Sequence, residues 1–235
     1  MLAFRSLAFV ALFYLWSLIV VLCMVPMLVL PHRVSIAAMR IWSQGITLLL
    51  RLICNIRTEL RGAANLPAGA ALIAAKHLCM YDVFVQFAWT PVPCFVMKKE
   101  LLKVPFFGWY AAKARMTPVD RDGHSAALKK LMRDSRARLA EGRQIFIFPE
   151  GTRGEPGVAG DYKPGIAALY RELGVPVHPL ATNSGVHWPA HGFLRRPGTI
   201  VFEYLEPIPP GLKRSEFMRL LEDRIETASN KLLEL

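Results

Sequence analysis

The stretch from Ser6 to Pro31 carries no formal charge, and no other feature constrains the fold of this chain as strongly. As a helix, Leu7 to Leu30 reaches about 36 Å, beyond the roughly 30 Å of a bilayer's hydrocarbon core. The run is too long for a cleaved signal peptide, and no small-x-small site follows it. Pro26 and Pro31 predict a bend or stop near its end. Val34 to Ile56 comes next, its Leu and Ile interrupted by Arg40, Trp42 and Arg51, the pattern of an amphipathic helix in an interface. Arg33, Arg40, Arg51 and Arg57 follow the uncharged run, whereas only Arg5 precedes it. The bulk of the chain is therefore expected on the cytoplasmic side of a cell inner membrane. This holds whether the first segment spans the bilayer or the two helices dip into one leaflet. Residues 1–56 are read as membrane-anchoring helices and 57–235 as a catalytic domain.

Lys and Arg number 29 against 18 Asp and Glu, a formal charge of +11. This excess implies an anionic partner: nucleic acid, an anionic membrane surface or a phosphorylated substrate. The apolar N-terminus, and the lack of any recognised nucleic-acid module, argue against the first. Cysteines 23, 54, 79 and 94 form no C-x-x-C pair and no zinc spacing. Neither a disulfide framework nor a structural metal is expected, and a reducing compartment fits.

From about residue 57, short apolar segments alternate with amphipathic ones. The expected strands are 56–61, 70–75, 93–97, 116–119, 144–148, 175–182 and 199–205; the expected helices are 82–89, 105–113, 125–141, 166–173 and 215–233. Ser125 serves as the N-cap of its helix, and Gly142 and Gly174 end two of them. The alternation predicts an α/β domain with a mixed, largely parallel sheet flanked by helices. Val175-Pro176-Val177-His178-Pro179 contains two prolines and is expected as an edge or terminal element of the sheet.

His77 follows the apolar run 70–75, and Asp82 comes five positions later. Residues five apart do not share a helix face, so the two meet only if the chain turns between them. If so, the carboxylate can hold one imidazole nitrogen and leave the other to take a proton from an alcohol. The spacing alone also fits a structural histidine. A second constellation is Phe148-Pro149-Glu150-Gly151-Thr152-Arg153-Gly154, in which glycines offer amide groups to an anion and Arg153 adds a fork of donors. A third is the stretch from Met97 to Trp109, with Lys98, Lys99 and Lys103 interleaved among apolar residues, suited to a lipid phosphate near a membrane. Arg121 closes Pro118-Val119-Asp120-Arg121 at a strand exit.

The order His77…Asp82, Val119-Asp120-Arg121, Phe148 to Arg153, Val175 to Pro179 resembles the four signature blocks of the glycerolipid acyltransferases. It is most similar to the bacterial 1-acyl-sn-glycerol-3-phosphate acyltransferases, over about residues 70 to 185. The resemblance implies His77 as general base and Asp82 as its orienting partner. It implies that Arg121, Glu150 and Arg153 bind the glycerol phosphate, that Gly151 and Thr152 shape the loop, and that Pro179 helps to wall the site. Lys98 joins them as a substrate-binding candidate. Three departures stand out. Lys76 replaces the usual Asn before the histidine and adds a charge beside the base, Arg115 lies where a small Gly is usual, and His178 replaces an apolar residue.

The implied reaction moves an acyl chain from acyl-CoA or acyl-carrier protein to the sn-2 hydroxyl of lysophosphatidic acid, yielding phosphatidic acid, with no cofactor. The alternatives are another lysophospholipid or lyso-aminolipid acceptor, or a non-catalytic membrane lipid-binding module. A serine hydrolase is disfavoured because Gly123-His124-Ser125-Ala126-Ala127 lacks the final Gly of its elbow. Pro189 spoils a helical metal pair of His187 and His191. Cys79 is read as packing, and His187 and Trp188 as residues lining the site.

Overall fold

The computed structural model describes residues 1–120 and 123–234, apart from the side chains of Met27 and His124. Its strands are β1 (Ile56–Arg61), β2 (Ala71–Ala75), β3 (Pro93–Lys98), β4 (Thr117–Val119), β5 (Gln144–Ile147), β6 (Val177–Thr182) and β7 (Gly198–Tyr204). They form one sheet in the order β1-β7-β6-β2-β5-β3-β4. From β6 to β4 every pairing is parallel, β7 runs antiparallel to β6, and β1 runs parallel to β7. All five residues of β2 are buried, as a strand covered on both faces requires.

Alternate residues feed two cores. Ile73, Phe146 and Phe202 pack on one side with Phe9, Ile46 and Leu50 of the N-terminal helices; Leu72, Ile145 and Ile147 pack on the other. That second layer consists of α6 (His124–Ala140), α7 (Gly165–Leu173) and α9 (Arg214–Lys231), which contribute Leu131, Leu169, Phe217 and Leu221.

The helix α1 covers Leu2–Met24 and gives way at Pro26 to a 3-10 turn over Val25–Val29, so the uncharged run bends earlier than Leu30. The helix α2 covers His32–Cys54. Its polar stripe faces the rest of the protein. Ser43 donates to the Phe84 carbonyl at 2.6 Å, Thr47 meets the Tyr81 hydroxyl at 2.9 Å, and Arg40 donates to the carbonyls of Phe87, Thr90 and Pro91. Arg40, one of the residues that interrupt the apolar pattern of this helix, is thus spent on the protein. These bonds also explain why the helix expected over 82–89 is two short pieces, α3 (Tyr81–Phe84) and α4 (Gln86–Trp89). Ser43 takes the Phe84 carbonyl, and the Ala88 amide turns instead to Val85 at 2.9 Å.

Two further expectations are corrected. β6 is interior, between β7 and β2. Pro179 faces β7, its carbonyl accepting from Leu205, where the ladder has dwindled to an isolated Val177–Ile208 bridge, so its missing donor breaks no bond. Ser125 is not a cap: Gly123 holds that position, with no side-chain cap bond, and the helix begins at His124.

Arg115 follows α5 (Phe107–Lys113) with φ +53°. The Arg115 amide donates to Ala112 at 3.0 Å and the Met116 amide to Ala111 at 3.0 Å, a Schellman motif with Arg115 in its left-handed position. A glycine is the unstrained residue at such a position. The buried Arg143 fixes the geometry by donating to the Arg115 carbonyl at 3.0 Å and to the Pro93 carbonyl at 2.8 Å. Arg115→Gly is expected to raise stability by up to about 1 kcal/mol, and Arg115→Val to lower it by at least about 1 kcal/mol. Thermal unfolding of the three proteins in one detergent reads the order directly, and the reverse order contradicts this account.

Candidate active site

Parallel strands β2, β5, β3 and β4 all end on the same side of the sheet, where open α/β sheets bind their ligands. His77 follows β2, Phe148 to Gly154 follow β5, and Lys98 is the last residue of β3. Arg121, two residues beyond β4, lies outside the described residues.

Between His77 and Asp82 the chain does turn. Asp82 Oδ2 accepts from the Leu78 amide at 2.6 Å and the Cys79 amide at 2.8 Å, and lies 3.1 Å from His77 Nδ1. Its Oδ1 takes the Ser184 hydroxyl and, at 3.5 Å, the Cys79 thiol. Asp82 is 1% exposed, so this carboxylate is buried with its lone pairs filled, as a buried charge must be. Phe148 stacks on the His77 ring at 4.0 Å between centroids and 23° between planes. Ring position and rotation are thereby fixed, while Nε2 has no partner among the described residues. Burial, and then the charge of Asp82, push the Cys79 thiol well above its ordinary range. It remains a thiol, consistent with packing and not with nucleophilic attack.

The loop after β5 is wrapped around this turn. The Gly154 amide donates to the His77 carbonyl at 2.9 Å, and Gly151 makes the bend with φ +69°. Thr152 and Arg153 are exposed, Arg153 Nη1 reaching the Ala190 carbonyl at 3.4 Å. Lys98 is exposed, 4.0 Å from Glu100. Glu150 is different. Its carboxylate is 3% exposed, and Oε1 is occupied by Lys76 at 2.7 Å and the Gly160 amide at 2.9 Å. It faces the protein, not the open end of the sheet, so direct contact with a glycerol phosphate does not fit its position. Lys76 likewise adds no charge beside His77, being turned away and 2% exposed.

Pro179 sits mid-strand beside Ala74, below the level of His77. His178 is paired with Ile73 still lower, its Nδ1 2.8 Å from the Asn65 carbonyl, and burial lowers its pKa. Neither lines the site. Nor does Trp188: it is 4% exposed, stacked on Tyr81 and edge-on to Phe9, with Arg195 over its ring at 4.3 Å. It joins α1 to the sheet, its large face packing against four aromatic neighbours, Phe9, Phe13, Tyr81 and Phe84, and one cation. His187 Nδ1 lies 3.0 Å from the Arg196 carbonyl. The sequence offered no sign of Ser184, which opens α8 (Ser184–His187) 102 residues after Asp82. Among the described residues no cluster of His, Cys, Asp and Glu could hold a metal ion.

The Acyltransferase family model matches residues 57–183, more than half of the chain; the match takes in His77, Asp82 and the loop after β5 and stops one residue before Ser184. A 1-acyl-sn-glycerol-3-phosphate acyltransferase of Pseudomonas aeruginosa is 38% identical over 159 residues, 68% of this chain and 62% of that protein. One of Cocos nucifera is 28% identical, over 59% of this chain and 46% of the relative. The chain thus spans roughly half to three-fifths of the length of these relatives. The crystal structure of the 1-acyl-sn-glycerophosphate (LPA) acyltransferase PlsC from Thermotoga maritima superposes with a TM-score of 0.78 over 99% of both chains at 20% identity, which shows the shared fold. With the family model laid over the turn that joins His77 to Asp82 and the loop behind it, the chain belongs to the acyltransferase family.

Proposed function

We propose that this protein transfers an acyl chain from an acyl thioester, acyl-CoA or acyl-carrier protein, to the sn-2 hydroxyl of 1-acyl-sn-glycerol-3-phosphate. The observation that carries this reading is His77, whose Nδ1 is held by a buried carboxylate while Nε2 has no partner among the described residues. In the proposed step the acceptor hydroxyl gives its proton to Nε2 as its oxygen bonds to the thioester carbonyl carbon. The tetrahedral oxyanion then collapses, the C–S bond breaks, and the thiolate leaves with the proton carried by the imidazolium. Asp82 stabilises that imidazolium and keeps the neutral ring in the useful tautomer. A thioester is already activated, so no acyl-enzyme and no cofactor are required. The names borne by the relatives support lysophosphatidic acid as acceptor. The phosphate is assigned to Arg153, Lys98 and Arg121, with Gly151 and Thr152 shaping the loop. Glu150 contributes by holding that loop.

The acceptor is a membrane lipid, and the N-terminus supports work at a bilayer. α1 and α2 are each long and apolar enough to cross one, and only 11% of the apolar window of α1 is buried against protein, unlike a core helix. Phe4, Leu7, Tyr14, Leu18 and Leu22 are exposed along α1. The surface continues onto Lys99–Lys103 and α5, where Leu101, Val104, Phe107 and Trp109 are exposed and the Tyr110 hydroxyl donates to the Val21 carbonyl at 3.0 Å. This segment starts directly after Lys98, so the lipid-facing surface reaches the rim of the site. Apolar and aromatic side chains mixed with Lys98 and Lys103 suit an anionic leaflet. Placement at the cytoplasmic side of the inner membrane rests on the basic residues after α1.

Acyl transfer by the detergent-solubilised protein tests the chemistry, with each donor offered and thiol release and lipid product both followed. Wild type is expected to form phosphatidic acid and His77→Ala to lose at least about 100-fold in kcat. Cys79→Ala is expected to stay within about threefold of wild type, because its neutral thiol takes no part in the reaction. Transfer only to another lysolipid changes the acceptor; thiol release that survives His77→Ala but not Cys79→Ala contradicts the mechanism. For the membrane surface, nitroxide labels at Trp109→Cys and Arg133→Cys in a Cys23→Ser background, in anionic vesicles, distinguish lipid from water. The label at 109 is expected to favour collisions with oxygen and that at 133 with a polar nickel chelate; equal water exposure removes α5 from the interface.

A further inference from the structure

We infer that Lys76, Glu150 and Glu226 form a largely buried clamp that positions the loop of residues 149–160 against His77, with Lys76 the one cation shared by both carboxylates. The ammonium of Lys76 makes bonds of 2.7 Å to Glu150 Oε1, 2.9 Å to the Val158 carbonyl and 2.9 Å to both oxygens of Glu226. An ammonium has three protons to donate, and three acceptor groups surround this one. Glu150 Oε1 extends the network to the Gly160 amide at 2.9 Å, and a Cβ at Gly160 would meet that oxygen at 2.6 Å. Glu226, on α9, also accepts the Tyr162 hydroxyl at 2.9 Å. Burial, and then the Glu226 charge, raise the pKa of that phenol, which keeps it a donor. The loop that carries Arg153 is therefore pinned at Glu150, Val158 and Gly160 through Lys76 and Glu150, and at Gly154 through the His77 carbonyl.

The physical consequence is mutual dependence. A buried ion stripped of its counter-ion is far worse than the pair or than its neutral replacement. Lys76 supplies two carboxylates with one cation, so replacing it strands Glu150, whose side chain is 2% exposed, as well as Glu226, at 13%; neutralising Glu226 loosens Lys76 from α9 but leaves it paired with Glu150. Both side chains lie behind the turn, away from the open end of the sheet, so they are positioning residues. Their effect falls on the acceptor phosphate, which the loop carrying Arg153 is proposed to bind.

The inference rests on the acyl-transfer reading for one of its two readouts only. Glu226→Gln, Lys76→Asn and the triple variant Lys76→Asn/Glu150→Gln/Glu226→Gln, which leaves neither carboxylate stranded, are compared with wild type in the full chain. One measurement is KM and kcat for lysophosphatidic acid in mixed micelles; the other is the rate of native-state tryptic cleavage after Arg153, which needs no activity. Each single variant is expected to raise KM about tenfold with kcat within about threefold, and to speed cleavage about tenfold, while the triple variant returns both to within about threefold of wild type. Singles that leave KM and cleavage unchanged overturn the clamp. So does a triple variant that fails to fold or is as impaired as the worse single; a triple variant that folds where Lys76→Asn does not supports it. If wild type shows no transfer, the function falls, and the cleavage rates alone decide the clamp.

Discussion

The site depends on one carboxylate oxygen. Asp82 Oδ2 collects the Leu78 amide, the Cys79 amide and the His77 ring within 3.1 Å, which forces the chain after β2 into a tight turn and points the imidazole outward. Two amide donors and a hydroxyl bond this carboxylate in a place that solvent scarcely reaches. Ser184 extends the hold to the segment after β6, and Phe148 holds the ring face from the segment after β5. Three neighbouring strand ends thus converge on one imidazole, which is how a parallel sheet supplies precise geometry from loops.

What lies behind the turn is as organised as what lies in front. Lys76 and Glu150 convert a glycine-containing loop, entropically costly to order, into a braced element fixed to β2 and α9. On the opposite side, α2 commits Arg40, Ser43 and Thr47 to α3 and α4, and Trp188 receives Phe9 of α1. The N-terminal helices share a core with the sheet instead of hanging from it by a linker. A rigid joint of this kind sets the distance between the exposed apolar surface of α1 and His77, as the proposed transfer to a membrane-resident acceptor needs.

Much of this was legible in the chain. Buried parallel strands read as short apolar runs, so β1 to β7 fall within two residues of their expected bounds. The meeting of His77 and Asp82 follows from their spacing once a turn is admitted. Other features were hidden because their causes are distant in sequence. Ser184 and Glu226 lie 102 and 150 residues from their partners, and nothing local marks either. Lys76 looked like a charge beside the base because sequence order cannot show that successive residues leaving a strand point to opposite sides. Pro179 misled about β6, since a proline is harmless in an interior strand wherever the neighbouring ladder has already ended. Trp188 looked like a site residue by proximity to the fourth block, while its size fitted it to the joint with α1. Arg115 shows the reverse case: its oddity in sequence corresponds to a real strained position.

The central claim is that Asp82 fixes the tautomer of His77 so that Nε2 is left unprotonated and ready to accept. Nitrogen-15 NMR of histidine-labelled protein in detergent micelles, with the His77 signal assigned by its loss in His77→Ala, reads this directly. The account predicts that the neutral ring carries its proton on Nδ1 and that Asp82→Ala abolishes the preference. A neutral ring protonated at Nε2 in the wild-type protein would contradict it.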